Sequence, residues 1–471
     1  MRKFNYLSFS TASNLLLLVL SLIFINCSSD DTIIRENEEE EQGEEEMGIR
    51  PEDKLPLFSI STNGAEIVDE PKINATFTIS KADAIVYDGY MGIEIRGATS
   101  QLFPKKAYGF ETWDAANEDL DVSLLDFPEE EDWILYAPYS DKSLFRNMLI
   151  YDLSRDIQRY ASRTQFVEVE INGVPKGVYV FMEKLKRDSN RIDINNLKED
   201  ENSGKDLTGG YILKIDKTAG SNLGEGYNEL NSFVSAYPPN LANLDQEIYF
   251  LYEEPDAEDI TPEQKAYISN YVAEFEDALA GENFTDSVTG YSAYIDVDSF
   301  IDFFILNELS NNVDGYRLST FMHKDKNGKL NMGPIWDFNL AFGNANYCSG
   351  GETNVWAYKF NERCPDDFWL LPFWWERLME DPAYVSRLKT RWEELRGGAL
   401  SNGAIEGKIE GYLTILNASG AVDTNFTLWP VLGTYVWPNN FVGTTYEQET
   451  DYLKTWVENR LTWLDAEISA L

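Results

Sequence analysis

The sequence predicts an α+β protein with two lobes, a β-rich N-terminal lobe at residues 51–220 and a mainly helical C-terminal lobe at residues 221–471. Three observations lead to this prediction. Short runs of alternating apolar and polar residues dominate the first part of the folded chain. Helical spacing of apolar residues dominates the second. The roughly 420 residues after the N-terminal segment also exceed what one hydrophobic core normally supports.

The β-rich lobe opens with three strand patterns, LFSIST, ATFTIS and MGIEIRG, between residues 56 and 113. Helical spacing behind a serine cap predicts a helix from Ser143 to about Gln158. TQFVEVEI and GVYVFME, joined by Asn172-Gly173, predict a hairpin, and GGYILKID at Gly209–Asp216 continues the sheet.

The C-terminal lobe is predicted to be helical in four places: residues 262–279, 297–309, 401–418 and 445–469. Between them, STFMHKDKNGKLNMG predicts a small hairpin with Asp325 to Gly328 at its tip. The aromatic cluster FWLLPFWWERL, from Phe368 to Leu378, is interpreted as core or interlobe packing and not as a substrate platform.

The N-terminus predicts export. Met-Arg-Lys precedes an apolar run from Leu15 to Ile25, which is about half the ~20 residues that a membrane-spanning helix needs. Cys27 closes this run, so residues 1–27 are interpreted as a lipoprotein signal peptide whose removal leaves a lipidated cysteine. The alternative is an ordinary cleaved signal with an incidental cysteine.

Residues 28–50 hold ten acidic residues and two basic ones, and we expect a disordered linker there. An acidic stretch directly after a lipidated cysteine resembles the surface-export signal of Bacteroidetes lipoproteins. The resemblance implies a location at the outer membrane or cell surface, with the membrane contacted through the lipid at Cys27.

Charge and residue counts exclude several functions. A net charge of −42 disfavours nucleic acid as a partner and also repels ATP, so a nucleotide site would need a local basic cluster or a bound metal. His323 is the only histidine, which argues against a four-ligand zinc site and against serine or cysteine hydrolase chemistry. We expect Cys348 and Cys364 to form a disulfide in an exported protein, with two buried free thiols as the alternative.

Two aspartates stand out as candidates for chemistry. Asp314 follows a predicted helix and Asp337 follows the predicted hairpin, so the chain can return the second carboxylate to the first. Two such carboxylates can hold Mg²⁺ and orient a hydroxyl, as phosphoryl transfer requires. Alone, this spacing would favour surface or capping roles. The apolar neighbours Trp336, Phe338 and Phe342 instead suggest a buried setting for Asp337, where an unpaired carboxylate is costly.

Four motifs, in order, resemble the spore-coat-protein-H (CotH) kinase family. NNVDGYRLSTFMHKD followed by GPIWDFNLAFG is similar to the family's aspartate after a helix and its Trp-Asp-apolar-Asp segment ending in Phe-Gly. RGATS at Arg96–Ser100 with Pro104-Lys105-Lys106 resembles its Arg-Gly-x-Ser-Ser and Lys-Lys. LFRN at Leu144–Asn147 resembles its helix start, and GVYVFMEKLKRD its Gly-x-Tyr-x-x-x-Glu strand. The matches span roughly residues 56 to 400.

The resemblance implies an atypical protein-kinase-like fold that uses ATP and Mg²⁺ or Mn²⁺ to phosphorylate serine or threonine on an exported protein. It implies that Asp337 binds metal and that Asp314 lies near the acceptor hydroxyl. Lys106, with Lys105 as the close alternative, would contact phosphates, and Glu183 would pair with that lysine. Arg96 and Arg146 are further candidates for phosphate contacts or structural ion pairs.

Two departures from the expected pattern keep a second reading open. Asn339 stands where the family tends to have a second aspartate, and Ser319 stands where an ordinary kinase has asparagine. Both can ligate metal through oxygen, more weakly than a carboxylate. The alternative is therefore a weakly active or inactive surface lipoprotein that binds a glycan, a protein or a nucleotide.

Overall fold

The alternating strands of the N-terminal part close into a barrel in the computed structural model, which describes residues 49–218, 226–240 and 246–471. Its strand order is β1-β2-β3-β4-β5-β7-β6, with β1 and β6 parallel and the other pairs antiparallel. The strands are β1 (Leu57–Ser61), β2 (Ile73–Lys81), β3 (Ala84–Arg96), β4 (Ala107–Trp113), β5 (Asp132–Tyr136), β6 (Thr164–Ile171) and β7 (Val174–Glu183).

Aromatic side chains fill the barrel. Along β1, inward residues alternate with outward ones, which is the two-residue period of a strand. The ring centroid of Phe58 lies 6.1 Å from that of Phe77 and 5.3 Å from that of Phe181. Trp133 packs on Phe181 at 5.0 Å. The barrel interior is therefore a packed core and not a channel.

A second sheet has the strand order β12-β11-β8-β10-β9, and all its pairs are antiparallel. Its strands are β8 (Tyr211–Ile215), β9 (Ser232–Val234), β10 (Tyr249–Glu254), β11 (Thr320–Lys324) and β12 (Leu330–Met332). The predicted hairpin is confirmed as β11 and β12. β8 precedes residue 220 and pairs with β10 and β11, which follow it, so this sheet joins strands from both sides of the predicted lobe boundary.

All five predicted helices are confirmed, with ends within three residues of the prediction. The helices are α1 (Arg146–Asp156), α2 (Pro262–Ala280), α3 (Val297–Ser310), α4 (Phe360–Arg363), α5 (Trp374–Leu378), α6 (Pro382–Arg396), α7 (Asn402–Ala418), α8 (Ala421–Leu428) and α9 (Tyr446–Ala470). The aromatic cluster lies in the core in part, since Trp374 and Trp375 are buried whereas Phe368 is exposed. α6 is a helix that the prediction missed.

All residues of α3 except Asp298 are buried, and this helix anchors the C-terminal part. The Glu308 carboxylate forms a fully buried ion pair with Arg460 of α9, with 3.2 Å between oxygen and nitrogen. Glu308 also accepts hydrogen bonds from the backbone amides of Ala357 and Tyr358 and from the Tyr316 hydroxyl. Because every charge in this group has partners, its burial is tolerated.

The fold is thus a mixed α/β architecture, whereas the division into two lobes at residues 220 and 221 stays a prediction. The predicted signal segment, and all but the last two residues of the acidic linker, lie outside the described residues. Within the described ranges, no helix is both long and apolar enough to cross a membrane. The predicted disulfide is confirmed, with the Cα atoms of Cys348 and Cys364 5.9 Å apart.

Candidate functional site

Asp337 is held in place through its backbone by two residues of α1. Its amide donates a 2.9 Å hydrogen bond to the Tyr151 hydroxyl, and the next amide, of Phe338, donates a 2.7 Å hydrogen bond to Oδ1 of Asn147. The φ angle of Asp337 is +59°, a left-handed conformation that non-glycine residues adopt only when surrounding contacts support it. These contacts hold the backbone that carries the carboxylate.

Asp314 reaches the same region from the end of α3. Asn311 ends that helix in the left-handed conformation, and the chain then turns so that the Leu318 amide donates to the Asp314 carbonyl at 3.0 Å. Oδ1 of Asp314 accepts hydrogen bonds from Arg317 at 2.8 Å and from the Tyr347 hydroxyl at 3.1 Å. About a quarter of the Asp314 side chain stays exposed.

Asp314 and Asp337 lie close enough for their charges to act on each other, and the region around them is called the cleft. The pKa of Asp337 is raised to about 6, first because the surrounding protein displaces water and then because the charges of Asp314 and Asp216 lie close to it. Arg96 and Lys217 oppose this rise. The prediction that Asp337 is buried is wrong, because this residue is exposed. Only its apolar neighbours, such as Phe338, are in the core, so the carboxylate is reachable by a ligand although protein crowds it.

Asp216 is a third carboxylate of the cleft, and the sequence interpretation missed it. It follows β8 directly, and its Oδ2 lies 3.4 Å from the Ser319 hydroxyl. Burial raises its pKa, while the positive charge of Lys214 lowers it. In the sequence, Asp216 stands at the end of the buried strand YILKI, and the ends of sheets commonly carry polar site residues. Nothing local linked this aspartate to the segment around Asp314.

The oxygen atoms of this cleft fit a hard divalent cation. Carboxylates from Asp337, Asp216 and Asp314 and the hydroxyl of Ser319 are the ligand types that Mg²⁺ prefers. Asn339 follows Asp337 by two residues and is half-buried. Among the described residues its side chain makes no hydrogen bond, and its carbonyl accepts one from Asn344. The donor set fits Mg²⁺ or Mn²⁺.

Two cations face these carboxylates. The Arg96 guanidinium, at the end of β3, lies 5.7 Å from the ring centroid of Trp336, and Lys217 Nζ lies 5.0 Å from that of Trp369. In the described part of the chain, neither side chain donates a hydrogen bond or forms an ion pair. Both nevertheless act on the charge of Asp337. They are the positive charges that an ATP site in this acidic protein would require.

The structure does not bring the predicted lysines and Glu183 together. Lys105 is buried, where its ammonium donates to the Val178 carbonyl and to Asn425 of α8 at 2.8 Å. Burial places its pKa well below the ordinary value. Lys106 donates to the Gln101 carbonyl. The prediction that Glu183 pairs with Lys106 or Lys105 is therefore wrong.

Glu183 instead pairs with Arg163 at 2.6 Å, and it also accepts from the Arg163 amide and the Tyr160 hydroxyl. This arginine lies just before β6, next to the end of β7, so the pair links neighbouring barrel strands. Arg163 thus neutralises the charge of Glu183, a residue that is only 1% exposed.

Arg146 likewise pairs inside the protein and not toward the cleft. It forms a buried ion pair with Asp141, whose carboxylate also accepts hydrogen bonds from the Ser143 amide and hydroxyl. The motif LFRN nevertheless contributes to the site, because its last residue, Asn147, holds the backbone beside Asp337.

A second acidic group lies on the barrel, where oxygens of Asp121, Glu130 and Glu131 come within 4.8 Å of one another. Lys186 reaches Glu130 at 3.0 Å and Glu131 at 2.6 Å, and Arg191 reaches Glu130 at 3.3 Å. These cations compensate the carboxylates, so the group is a structural ion-pair network.

Comparison with known proteins agrees with the geometry of the cleft. The family model described as CotH kinase protein matches residues 93–464, which is most of the chain. This range contains Arg96, Asp216, Asp314 and Asp337. No curated protein matches the chain.

Proposed function

Because the chain belongs to the CotH kinase protein family, we propose that it is an ATP-dependent protein kinase that phosphorylates serine or threonine on an exported protein. One observation supports this most: three carboxylates lie near two cations, Arg96 and Lys217, that form no ion pair with any described residue. Carboxylates alone would suit many cation sites. The addition of Arg96 and Lys217 suits a ligand that carries both metal and phosphate.

Asp337 would hold Mg²⁺ or Mn²⁺ together with Asp216, assisted by the hydroxyl of Ser319 and the amide of Asn339. ATP, bound with this metal, would supply the γ-phosphoryl group. Arg96 and Lys217 would bind phosphate oxygens and offset their charge. The aromatic faces under these two cations, Trp336 and Trp369, limit where the cations can move.

Asp314 would orient the acceptor hydroxyl and accept its proton. Its Oδ1 is occupied by Arg317 and Tyr347, while Oδ2 receives no hydrogen bond from the described residues. The carboxylate therefore keeps one oxygen for an acceptor, on a side chain that is about a quarter exposed and within the range of Asp337's charge.

The test is phosphate transfer by the purified protein, incubated with γ-labelled ATP, Mn²⁺ or Mg²⁺ and a serine-rich acceptor protein. The Asp337→Ala and Asp314→Asn variants should lose transfer by at least a hundredfold while keeping the melting temperature of the metal-free protein. Asp216→Asn should lower transfer and raise the metal concentration needed. Equal labelling by wild type and Asp337→Ala would overturn the proposal.

The competing function is a surface scaffold without turnover. Asn339 supports it, because the family tends to have a second aspartate there, and so does Ser319, because an ordinary kinase has asparagine there. Glu183 also supports it, because this carboxylate pairs with Arg163 and not with a lysine. Metal-dependent nucleotide binding without any transfer to acceptors or to the protein itself would favour this function over catalysis.

We also propose that the protein is an exported lipoprotein displayed at the outer membrane or cell surface. The sequence supports this through the apolar run that ends at Cys27 and the acidic residues after it. Labelling of growing cells with radioactive palmitate should mark the wild-type chain and not Cys27→Ser. Protease added to intact cells then distinguishes outward display from a periplasmic location.

A further inference from the structure

One oxygen of Asp314 is held by two residues that come from different parts of the chain. Arg317 Nη2 donates to Oδ1 at 2.8 Å, and the Tyr347 hydroxyl donates to the same oxygen at 3.1 Å. Two donors on one oxygen fix the rotation of the carboxylate about its Cβ–Cγ bond. As a result, Oδ2 is presented in one direction.

Arg317 is itself immobilised. Its Nε donates to the Val313 carbonyl at 3.0 Å, and its Nη1 donates to Asp367 at 3.2 Å and to the Trp369 carbonyl at 3.1 Å. The guanidinium carbon lies 4.1 Å from the ring centroid of Phe360. With only 2% of its side chain exposed, this arginine behaves as a rigid part of the cleft wall.

Tyr347 is immobilised by different contacts. Its ring stacks on that of Trp437, with centroids 6.2 Å apart and 3° between the planes. Burial raises the pKa of Tyr347 far above the physiological range, so its hydroxyl keeps the proton that it donates to Asp314. The loop after it is held by Asn311, which donates to the carbonyls of Ser349 and Glu352.

The disulfide joins the two segments that hold Asp314. Cys348 follows Tyr347 directly, and Cys364 precedes Asp367, the partner of Arg317, by three residues. Arg363, next to Cys364, also donates a hydrogen bond to the Cys348 carbonyl. The covalent bond therefore fixes the distance between the Tyr347 side and the Arg317 side of Asp314.

We propose that Tyr347 and Arg317 are positioning residues for Asp314, and that the Cys348–Cys364 disulfide keeps Tyr347 in place to do so. The inference rests on the proposed function, in which the free Oδ2 of Asp314 receives the proton of the acceptor hydroxyl. Among the described residues, the Tyr347 hydroxyl bonds to Asp314 and not to Asp337 or Asp216, which would hold the metal, nor to Arg96 or Lys217. Its loss should therefore affect the transfer rate and not the binding of ATP.

The experiment compares kinetics of the purified full chain with those of Tyr347→Phe, which keeps the ring and removes only the donor. We expect kcat for acceptor phosphorylation to fall about tenfold, with the KM for ATP changed less than twofold. Tyr435→Phe is the matched control, because Tyr435 is an exposed tyrosine nearby whose hydroxyl accepts a bond from Asn346 and does not contact Asp314. It should retain the wild-type kcat.

A double-mutant cycle tests the role of the disulfide. The Cys348→Ser, Cys364→Ser variant should have a kcat several-fold below wild type at a temperature where it remains folded. Adding Tyr347→Phe to it should then reduce kcat by less than the tenfold expected in the wild type, because the disulfide acts through Tyr347. A purely stabilising disulfide would leave the effect of Tyr347→Phe unchanged, and that result would overturn the coupling.

The two proposals fail in different ways. If the wild type transfers label and Tyr347→Phe does so at the same kcat, the positioning role is wrong and the kinase function stands. If the wild type transfers no label to acceptors or to itself, the kinase function and the positioning role are both wrong.

Discussion

The backbone amide of Asp337 donates a 2.9 Å hydrogen bond to the hydroxyl of Tyr151, a fully buried residue of α1. Tyr151 also stacks on Trp336, the residue before Asp337, with ring centroids 6.1 Å apart. One side chain thus fixes both the ring that supports Arg96 and the backbone that carries the metal-binding candidate.

Tyr151→Phe should therefore reduce activity more than its small chemical change suggests. The variant leaves the Asp337 amide without its acceptor, and an unsatisfied buried amide costs about 1–3 kcal/mol. We expect a comparable loss in the free energy of unfolding and at least a tenfold fall in kcat. Urea unfolding and the transfer assay measure the two effects.

Tyr384→Phe is a suitable comparison, because the Tyr384 hydroxyl is buried without a hydrogen-bond partner among the described residues. Its removal should leave stability unchanged or slightly raised and kcat unaffected. A similar loss in both variants would mean that the Tyr151 hydroxyl has no special role.

Phosphate contacts should depend on Arg96 and Lys217 and not on Lys106. Arg96→Met and Lys217→Met each remove a cation that has no partner within the described ranges, so we expect the KM for ATP to rise at least tenfold. Lys106→Met removes a side chain already bonded to the Gln101 carbonyl, and the KM should change less than twofold. If Lys106→Met raised the KM for ATP more than Arg96→Met and Lys217→Met did, Lys106 would be the phosphate-binding residue, as the family resemblance suggested.

Metal affinity should fall with acidification around pH 6. The pKa of Asp337 is about 6 in the metal-free protein, chiefly because the surrounding protein displaces water and then because of the charges of Asp314 and Asp216. Below that pH the carboxyl carries a proton that must leave before metal binds, so the Kd should rise by up to about tenfold per pH unit. Calorimetric titration with Mn²⁺ between pH 5 and 8 measures this. A Kd that is constant across that range would contradict the assigned role of Asp337.

Stability should decrease from pH 4.5 to 7 in part because of Glu276, a buried residue of α2. Burial raises its pKa to about 7, although Ser235 and Trp374 donate hydrogen bonds to it. Between the ordinary pKa and 7 the folded state keeps a proton that the unfolded chain has lost, so the free energy of unfolding falls as pH rises.

Glu276→Gln should flatten this dependence. One pKa unit corresponds to about 1.4 kcal/mol, so the wild type should lose roughly 3 kcal/mol more than the variant across the window. Urea unfolding at pH 4.5 and 7.5 gives the difference, and contributions from other buried acids cancel between the two proteins. Parallel stability curves would show that Glu276 does not titrate in this window.

Local patterns were enough to predict five helices and two hairpins and to single out Asp314 and Asp337, whereas β5, β9, β10 and α8 were not predicted. The apolar spacing in α2 and α3 and Asn172-Gly173 between β6 and β7 are signals carried by neighbouring residues. The predicted serine cap of α1 was wrong, because the N-cap is Phe145 and makes no side-chain capping bond. α6 was missed although it begins with Asp381 as cap and Pro382 in its first turn, because the aromatic segment before it was interpreted only as packing.

What the sequence determined by itself was the identity of these elements, the disulfide, and the positions of Asp314 and Asp337 at the ends of a helix and a hairpin. Tertiary structure alone decided that seven strands close into a barrel and that Asp216 joins the two aspartates. It also decided that Arg96 and Lys217 form no ion pair with any described residue, whereas the buried Lys105 is hydrogen-bonded inside the protein. The reason is physical. Closure of the barrel and pairing of charges depend on contacts between residues a hundred or more positions apart. A local pattern of hydrophobicity does not show which of several positively charged side chains will form an ion pair.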